Sequence, residues 1–143
     1  MKTFERMMPT GTVADHVVFL DVEDRGVLIN ELCQSAIGIA LYDLSGAEHL
    51  RYGDSMKLRE YFAAGLPSIT TPGHSVADEV FEHGLGAVVK TSDECLEALD
   101  RLLHDDTSYF AIRKRVLAYA LATDKAALMT NALTRILPYT SSR

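Results

Sequence analysis

Cysteine, long apolar runs and positive charge are all scarce in this sequence, and each scarcity removes a class of protein. There are two cysteines, Cys33 and Cys95, far apart and without Cys-x-x-Cys or Cys-x-x-His spacing. That argues against a disulfide scaffold and a thiolate metal site, and both are read as buried free thiols in a reducing cytoplasm. His16, His49, His74, His83 and His104 show no metal-site spacing either, so no metal is expected. No apolar run approaches the roughly 20 residues of a membrane-spanning helix. The start, Met1-Lys2-Thr3-Phe4-Glu5-Arg6, lacks the apolar core of a signal peptide. The expected location is cytoplasmic, with peripheral membrane contact the only addition considered. Lys and Arg total 14 against 20 Asp and Glu, a formal net charge of -6. General nucleic-acid binding needs a basic face and is disfavoured, although a local positive pocket is not. No Ser-His-Asp or Cys-His arrangement, internal repeat or low-complexity tract occurs.

What is present fits one folded domain spanning residues 1–143: 48% hydrophobic and 24% charged residues are ordinary for a globular chain of this length. Residues 2–8 read as a short helix. His16-Val17-Val18-Phe19-Leu20 is a continuous apolar run that predicts a strand buried on both faces. Val27, Leu28, Leu32 and Cys33 recur at helical spacing over residues 25–36. Residues 37–42 predict a second buried strand, in which Gly38 signals close approach of a neighbouring backbone. The polar stretch 43–54 is the longest loop, and it follows a strand's C-terminal end, where ligands bind in open α/β sheets.

The next stretch, residues 53–67, organises the rest. Ser55 is placed to cap a helix through the amide of Lys57 or Leu58, Gly65 to close it in the left-handed conformation, and Pro67 to stop it. Lys57, Arg59 and Glu60 crowd this short element, whose N-terminus would offer free amides to an anion. Beyond it, Ser75-Val76-Ala77-Asp78 and Thr91-Ser92-Asp93-Glu94 read as capping boxes opening two helices, the second with Leu96, Leu99, Leu102 and Leu103 on one side. Residues 85–90 predict a strand between them. Residues 108–122 and 124–137 predict two more helices, the first with a core stripe from Tyr109 to Tyr119. His74 is read as a cap or solvent residue rather than a ligand contact. Strands alternating with helices predict an α/β fold, a Rossmann-like three-layer sandwich on a mostly parallel sheet. Four strand candidates are few for such a sheet, and the domain is expected to be truncated on its N-terminal side.

Lys57-Leu58-Arg59-Glu60-Tyr61-Phe62-Ala63-Ala64-Gly65-Leu66-Pro67, followed by a strand and Thr71-Pro72, resembles the donor-binding segment of GT-B-type, group-1-like glycosyltransferases. Glu79-Val80-Phe81-Glu82-His83-Gly84-Leu85-Gly86-Ala87-Val88-Val89 resembles the family's E-x-x-x-x-G-x-G-x-x-V segment. The likeness covers about residues 15–122. It implies the C-terminal half of an enzyme that moves a sugar from a nucleotide diphosphate sugar to an acceptor hydroxyl. No cofactor is implied beyond that donor, such as a UDP- or GDP-sugar. By the resemblance, Glu60 accepts hydrogen bonds from the ribose hydroxyls, while Ser55 and Met56 lie where backbone amides meet the diphosphate. Lys57, Gly53 and Glu79 complete the expected ligand-binding set, Lys57 as a phosphate contact. No residue is assigned a catalytic role.

Three departures temper the likeness. Tyr52 stands where the family has an acid eight positions before Glu60, so Glu48 is the candidate replacement; Asp21 stands where it has a glycine. The family's first βα units and its acceptor-binding N-terminal domain are also missing, which implies a partner chain or domain that supplies them, and self-association through uncovered sheet surface. Two alternatives remain open: a non-catalytic glycosyltransferase-like interaction module, and a fragment of a nucleotide-sugar 2-epimerase.

Overall fold

Each helix among the described residues begins at a side chain that can accept a backbone hydrogen bond, and these caps fix where the elements start. The computed structural model describes residues 16–18, 20–43 and 51–123. Within them α1 (Arg25–Gln34) is capped by Asp24, α2 (Met56–Ala63) by Ser55 and α3 (Ser75–Glu82) by His74. Thr91 caps α4 (Ser92–His104) and Asp105 caps α5 (Asp106–Ala122). Ser55 Oγ accepts from the Leu58 amide at 3.3 Å, as its spacing predicts. Gly65 adopts φ of 73°, and the Leu66 amide returns to the Tyr61 carbonyl at 2.8 Å. Both ends of α2 are therefore where local chemistry puts them.

The start of α3 differs from expectation by one residue. His74, not Ser75, is the cap: its Nδ1 accepts from the Ala77 amide at 3.2 Å. The Ser75 hydroxyl instead donates to the Gly53 carbonyl at 3.4 Å, joining the start of α3 to the loop before α2. α5 begins two residues before the predicted Ser108, because Asp105 accepts from the Ser108 amide at 3.0 Å and so nucleates the first turn.

The strands β1 (Gly38–Ala40), β2 (Ser68–Thr70) and β3 (Gly86–Val88) form one parallel sheet in the order β1-β2-β3. Ile39 lies opposite Ile69, which lies opposite Ala87. The fold class is the predicted one, an α/β open parallel sheet consistent with part of a Rossmann-like domain. Successive strand residues face opposite sides, and two cores result. Ala40 and Val88 pack with Leu58 and Phe62 of α2, Val76 and Val80 of α3, and Val116 of α5. Ile69 and Ala87 pack on the other side with Ala98 and Leu102 of α4. Gly38 has a close neighbour, but it is the ring of Tyr61 that fills the Cβ position rather than a backbone.

Several expectations are corrected. Residues 16–18 and 20 form no strand: Val18 is 78% and Leu20 60% exposed. A doubly buried parallel strand needs a paired neighbour and a layer on each face, and the described residues supply neither. Cys33 is free but exposed rather than buried, because α1 has no buried residue; Cys95 is free and half-buried. The inward seam of α4 runs through Cys95, Ala98, Leu99 and Leu102, leaving Leu96 and Leu103 exposed. On α5 Val116 is fully buried and Ile112 and Tyr119 pack against the same core, whereas Phe110 is 63% exposed, so the predicted stripe is core only in part. The helices expected over residues 2–8 and 124–137 lie outside the described residues, as does Glu48. Among the described residues no helix is long and apolar enough to cross a membrane.

Candidate functional site

The C-terminal ends of β1 and β2 open onto the N-termini of α2 and α3, and three side chains hold this junction together. Thr70, the last residue of β2, donates its hydroxyl to the Ala40 carbonyl of β1 at 2.7 Å. With its proton so committed, Thr70 Oγ1 accepts from His74 Nε2, 3.0 Å away. His74 Nδ1 already accepts from the Ala77 amide, so the ring is neutral with its proton on Nε2. The Tyr42 ring meets the His74 ring edge-on at 5.0 Å, and the Tyr42 hydroxyl lies 2.6 Å from Ser55 Oγ, the cap of α2. One continuous set of contacts thus joins both strand ends to both helix starts. Tyr42, Gly53, Asp54, Ser55 and His74 line a small cavity there, of about 60 Å³.

Burial lowers the His74 pKa below its ordinary value, opposed by the negative charge of Asp78. The unfolded chain therefore takes up a proton near the ordinary pKa of about 6.5 that the folded chain resists. Stability from the neutral ring is fully present above that pH and is lost as pH falls through the lower, folded value. Melting temperature should accordingly drop between pH 7.5 and 5.5. His74→Asn retains an acceptor for the Ala77 amide and has nothing to titrate, so its pH slope should be shallower. Equal slopes for the two proteins would show that His74 does not titrate in this window.

The expected ligand residues divide between places. Ser55 and Gly53 lie on the small cavity, and the amides of Met56 and Lys57, the first two of α2, are beyond the reach of the helix's own carbonyls. Gly53 contributes its carbonyl to Ser75 and has no positive φ. Glu79 stands on α3 beside a larger cleft of about 850 Å³, whose walls include Asp54, Met56, Arg59 and Phe62 from the α2 side and Leu117 and Tyr119 from α5. Its carboxylate takes both terminal nitrogens of Arg59, at 2.6 and 2.7 Å, and a short hydrogen bond from the Tyr119 hydroxyl. Arg59 also donates Nε to Asp54 Oδ1 at 2.7 Å. The guanidinium holds the Glu79 carboxyl below the usual carboxylate range, and the carboxylates raise Arg59 in turn.

Glu60 and Lys57 line neither cavity. Helical spacing sets Glu60 opposite the buried Leu58 and Phe62; it is half-buried, and its carboxylate makes no hydrogen bond or ion pair among the described residues. The sequence does not single out Tyr42, it counts Arg59 only among the charges crowding α2, and it places Tyr119 in a core stripe. Tyr42 could have been noticed as the last residue of a predicted strand, beside the ligand-bearing loop. Arg59 and Tyr119 offer no such signal, since their partners lie 20 and 40 positions away. Among the described residues no group of His, Cys, Asp and Glu is placed to hold a metal ion.

A parallel sheet with two helix N-termini at its strand ends is the general arrangement of open α/β domains, and a family comparison places this one among glycosyltransferase C-terminal domains. More particularly, the model of the glucosyltransferase 3-like C-terminal domain matches residues 8–136, and the chain belongs to that family. No curated protein and no solved structure matches it.

Proposed function

We propose that this chain is the nucleotide-sugar-binding half of a GT-B-type, group-1-like transferase, one domain that works with an acceptor-binding domain or partner chain. The observation that carries this reading is the start of α2. Ser55 caps the helix through Leu58 and leaves the amides of Met56 and Lys57 at the C-terminal end of parallel strands. Those amides and the helix dipole suit a diphosphate, and the exposed Lys57 adds a cation beside them. Glu60, whose carboxylate has no hydrogen bond or ion pair among the described residues, is the acceptor for the ribose hydroxyls. Holding the diphosphate would also stabilise the charge that develops on the leaving nucleotide.

Calorimetric titration with UDP, GDP and ADP tests the reading. At least one should bind the wild-type chain, and Glu60→Ala should weaken it by roughly ten- to hundredfold, the worth of hydrogen bonds to a charged group. Equal affinities would remove Glu60 from the site, and no binding by wild type would remove the site itself.

A partner-binding role is favoured by a separate observation. Ile39 on β1, an edge strand of the described sheet, is 44% exposed, and Leu41 just after it is 52% exposed. Exposed apolar side chains beside an open strand suit a covering partner or a second copy.

A further inference from the structure

The His74 ring walls off the small cavity at the ends of β1 and β2, yet neither of its hydrogen-bond partners relies on it. It is 4% exposed, with Nδ1 accepting from the Ala77 amide at 3.2 Å and Nε2 on Thr70 Oγ1 at 3.0 Å. Each partner holds a second bond of its own. The Ala77 amide also donates to the His74 carbonyl at 3.0 Å, and the Thr70 hydroxyl donates to the Ala40 carbonyl at 2.7 Å. When the ring leaves, neither becomes an unsatisfied buried group, so that penalty does not arise. The strand ends also stay joined without it, because Thr71 Oγ1 accepts from the Tyr42 amide at 2.9 Å and donates to the Tyr42 carbonyl at 3.0 Å.

A proton added to Nδ1 turns that acceptor into a donor aimed at the N–H of Ala77, and two donors cannot share one bond. The groups around the ring come from four places. The end of β1 supplies the Tyr42 phenol, edge-on at 5.0 Å, and β2 with the residue after it supplies the Thr70 hydroxyl and the Thr71 backbone. Asp54, before α2, lines the same cavity, with its carboxylate on Arg59 Nε at 2.7 Å. Asp78, exposed one turn along α3, adds a negative charge that favours the imidazolium.

We propose that His74 is an acid-operated gate: on taking a proton its ring leaves Ala77 and Thr70, swings out to Asp78, and opens the cavity lined by Tyr42, Gly53, Asp54 and Ser55. The proposal goes beyond the nucleotide-sugar reading and does not depend on it. Opening is local, because the fully buried members of both cores are apolar and have nothing to titrate. A ring in solvent takes its proton near the ordinary pKa of about 6.5, and the buried ring does so only at lower pH. Between those two values the open fraction grows about tenfold for each pH unit lost.

NMR of the labelled full chain between about pH 7.5 and 4.5 tests the gate. At the upper end the ring should show the tautomer protonated on Nε2, with cross-relaxation to Thr70 and to the Tyr42 ring. Below pH 6.5 both contacts should fade in step with the ring's own titration and a contact to Asp78 should replace them. The methyl signals of Leu58, Ile69, Val80 and Leu102 should hold throughout. Asp78→Asn, at an exposed position, should move the midpoint to lower pH, and His74→Asn should abolish every change. If His74→Asn does not fold, wild type and Asp78→Asn carry the test by themselves. Contacts to Thr70 and Tyr42 that persist after the ring has titrated overturn the gate. Loss of the core methyl signals at the same midpoint overturns it too, since the event would then be global unfolding. An Asp78→Asn midpoint equal to that of wild type overturns the swing toward Asp78.

Discussion

Phe62→Ala should destabilise the chain by about 3–5 kcal/mol, the usual cost of emptying a buried phenylalanine site. For a domain of this size the melting temperature would fall on the order of 10 °C. Phe62 is 2% exposed and belongs to the core that joins α2 to α3 and α5. Its ring meets Tyr119 of α5 edge-on at 5.8 Å, and α2 touches α5 more extensively than it touches any strand. Collapse of the surroundings is limited, because Leu58, Val80 and Val116 beside it are themselves fully buried and held by other elements. A cavity would therefore remain, and α2 would lose the contact that fixes its rotation. Thermal melts and urea titrations check this. A loss below 1 kcal/mol would mean that the interface between α2 and α5 repacks freely.

The contrast with Glu60→Ala sharpens both predictions. Phe62 and Glu60 lie two positions apart on one helix and point to opposite sides of it. The first substitution should cost stability and weaken binding only indirectly; the second should cost binding and leave the melt close to wild type, as surface substitutions usually do. Two residues of the same motif phrase would then separate cleanly into what builds the helix and what the helix presents.

That phrase was legible in the sequence because its chemistry is local. Ser55 caps through a residue three positions on, and Gly65 and Pro67 end the helix within four more residues of its last turn. A reader needs only turn and cap preferences to find such ends. The His16-Val17-Val18-Phe19-Leu20 run misled for the opposite reason: an apolar pattern states what a strand could bury, whereas burial depends on what the rest of the fold places beside it. His74 was readable only in part. Histidine is outside the usual set of cap residues, and its commitment to that role depends on Thr70, whose hydroxyl is already given to Ala40 across the sheet. The Arg59, Glu79 and Tyr119 cluster joins three helices. Nothing in the spacing of those residues announces that they meet: read from the sequence, Arg59 is one of several crowded charges, Glu79 a ligand-binding candidate and Tyr119 the end of a core stripe, with no link between them.

The two glycines of the 79–89 segment carry the second large prediction, because the structure gives them different physical reasons. Gly84 ends α3 with φ of 60°, and a Cβ there would meet only the end of the Arg115 side chain at 3.4 Å. Gly84→Ala should thus cost only the left-handed backbone penalty, about 1–2 kcal/mol. Gly86 has no positive φ, yet it tolerates a side chain far less well. It pairs with Ser68 in the parallel register of β2 and β3, and a Cβ would fall on the Ser68 backbone, under 3.0 Å from its carbonyl oxygen and its amide nitrogen. Backbone cannot swing aside as an arginine can. The strands would have to separate, breaking the bond from the Ser68 amide to the Leu85 carbonyl at 3.1 Å and that from the Val89 amide to the Thr70 carbonyl at 2.8 Å. Leu85 and Val89, both buried, would be drawn out of the two cores that they help to fill. Gly86→Ala should cost about 4 kcal/mol or more, the range reached only by a few mechanisms such as this one. Because β3 pairs only with β2 among the described residues, the loss should also uncouple α4 from the sheet. Urea midpoints for wild type, Gly84→Ala and Gly86→Ala decide the matter: the order should run wild type, Gly84→Ala, Gly86→Ala. A Gly86→Ala midpoint at or above that of Gly84→Ala would show that the contact between β2 and β3 relaxes, and that this glycine is in the motif for some reason other than the approach of two strands.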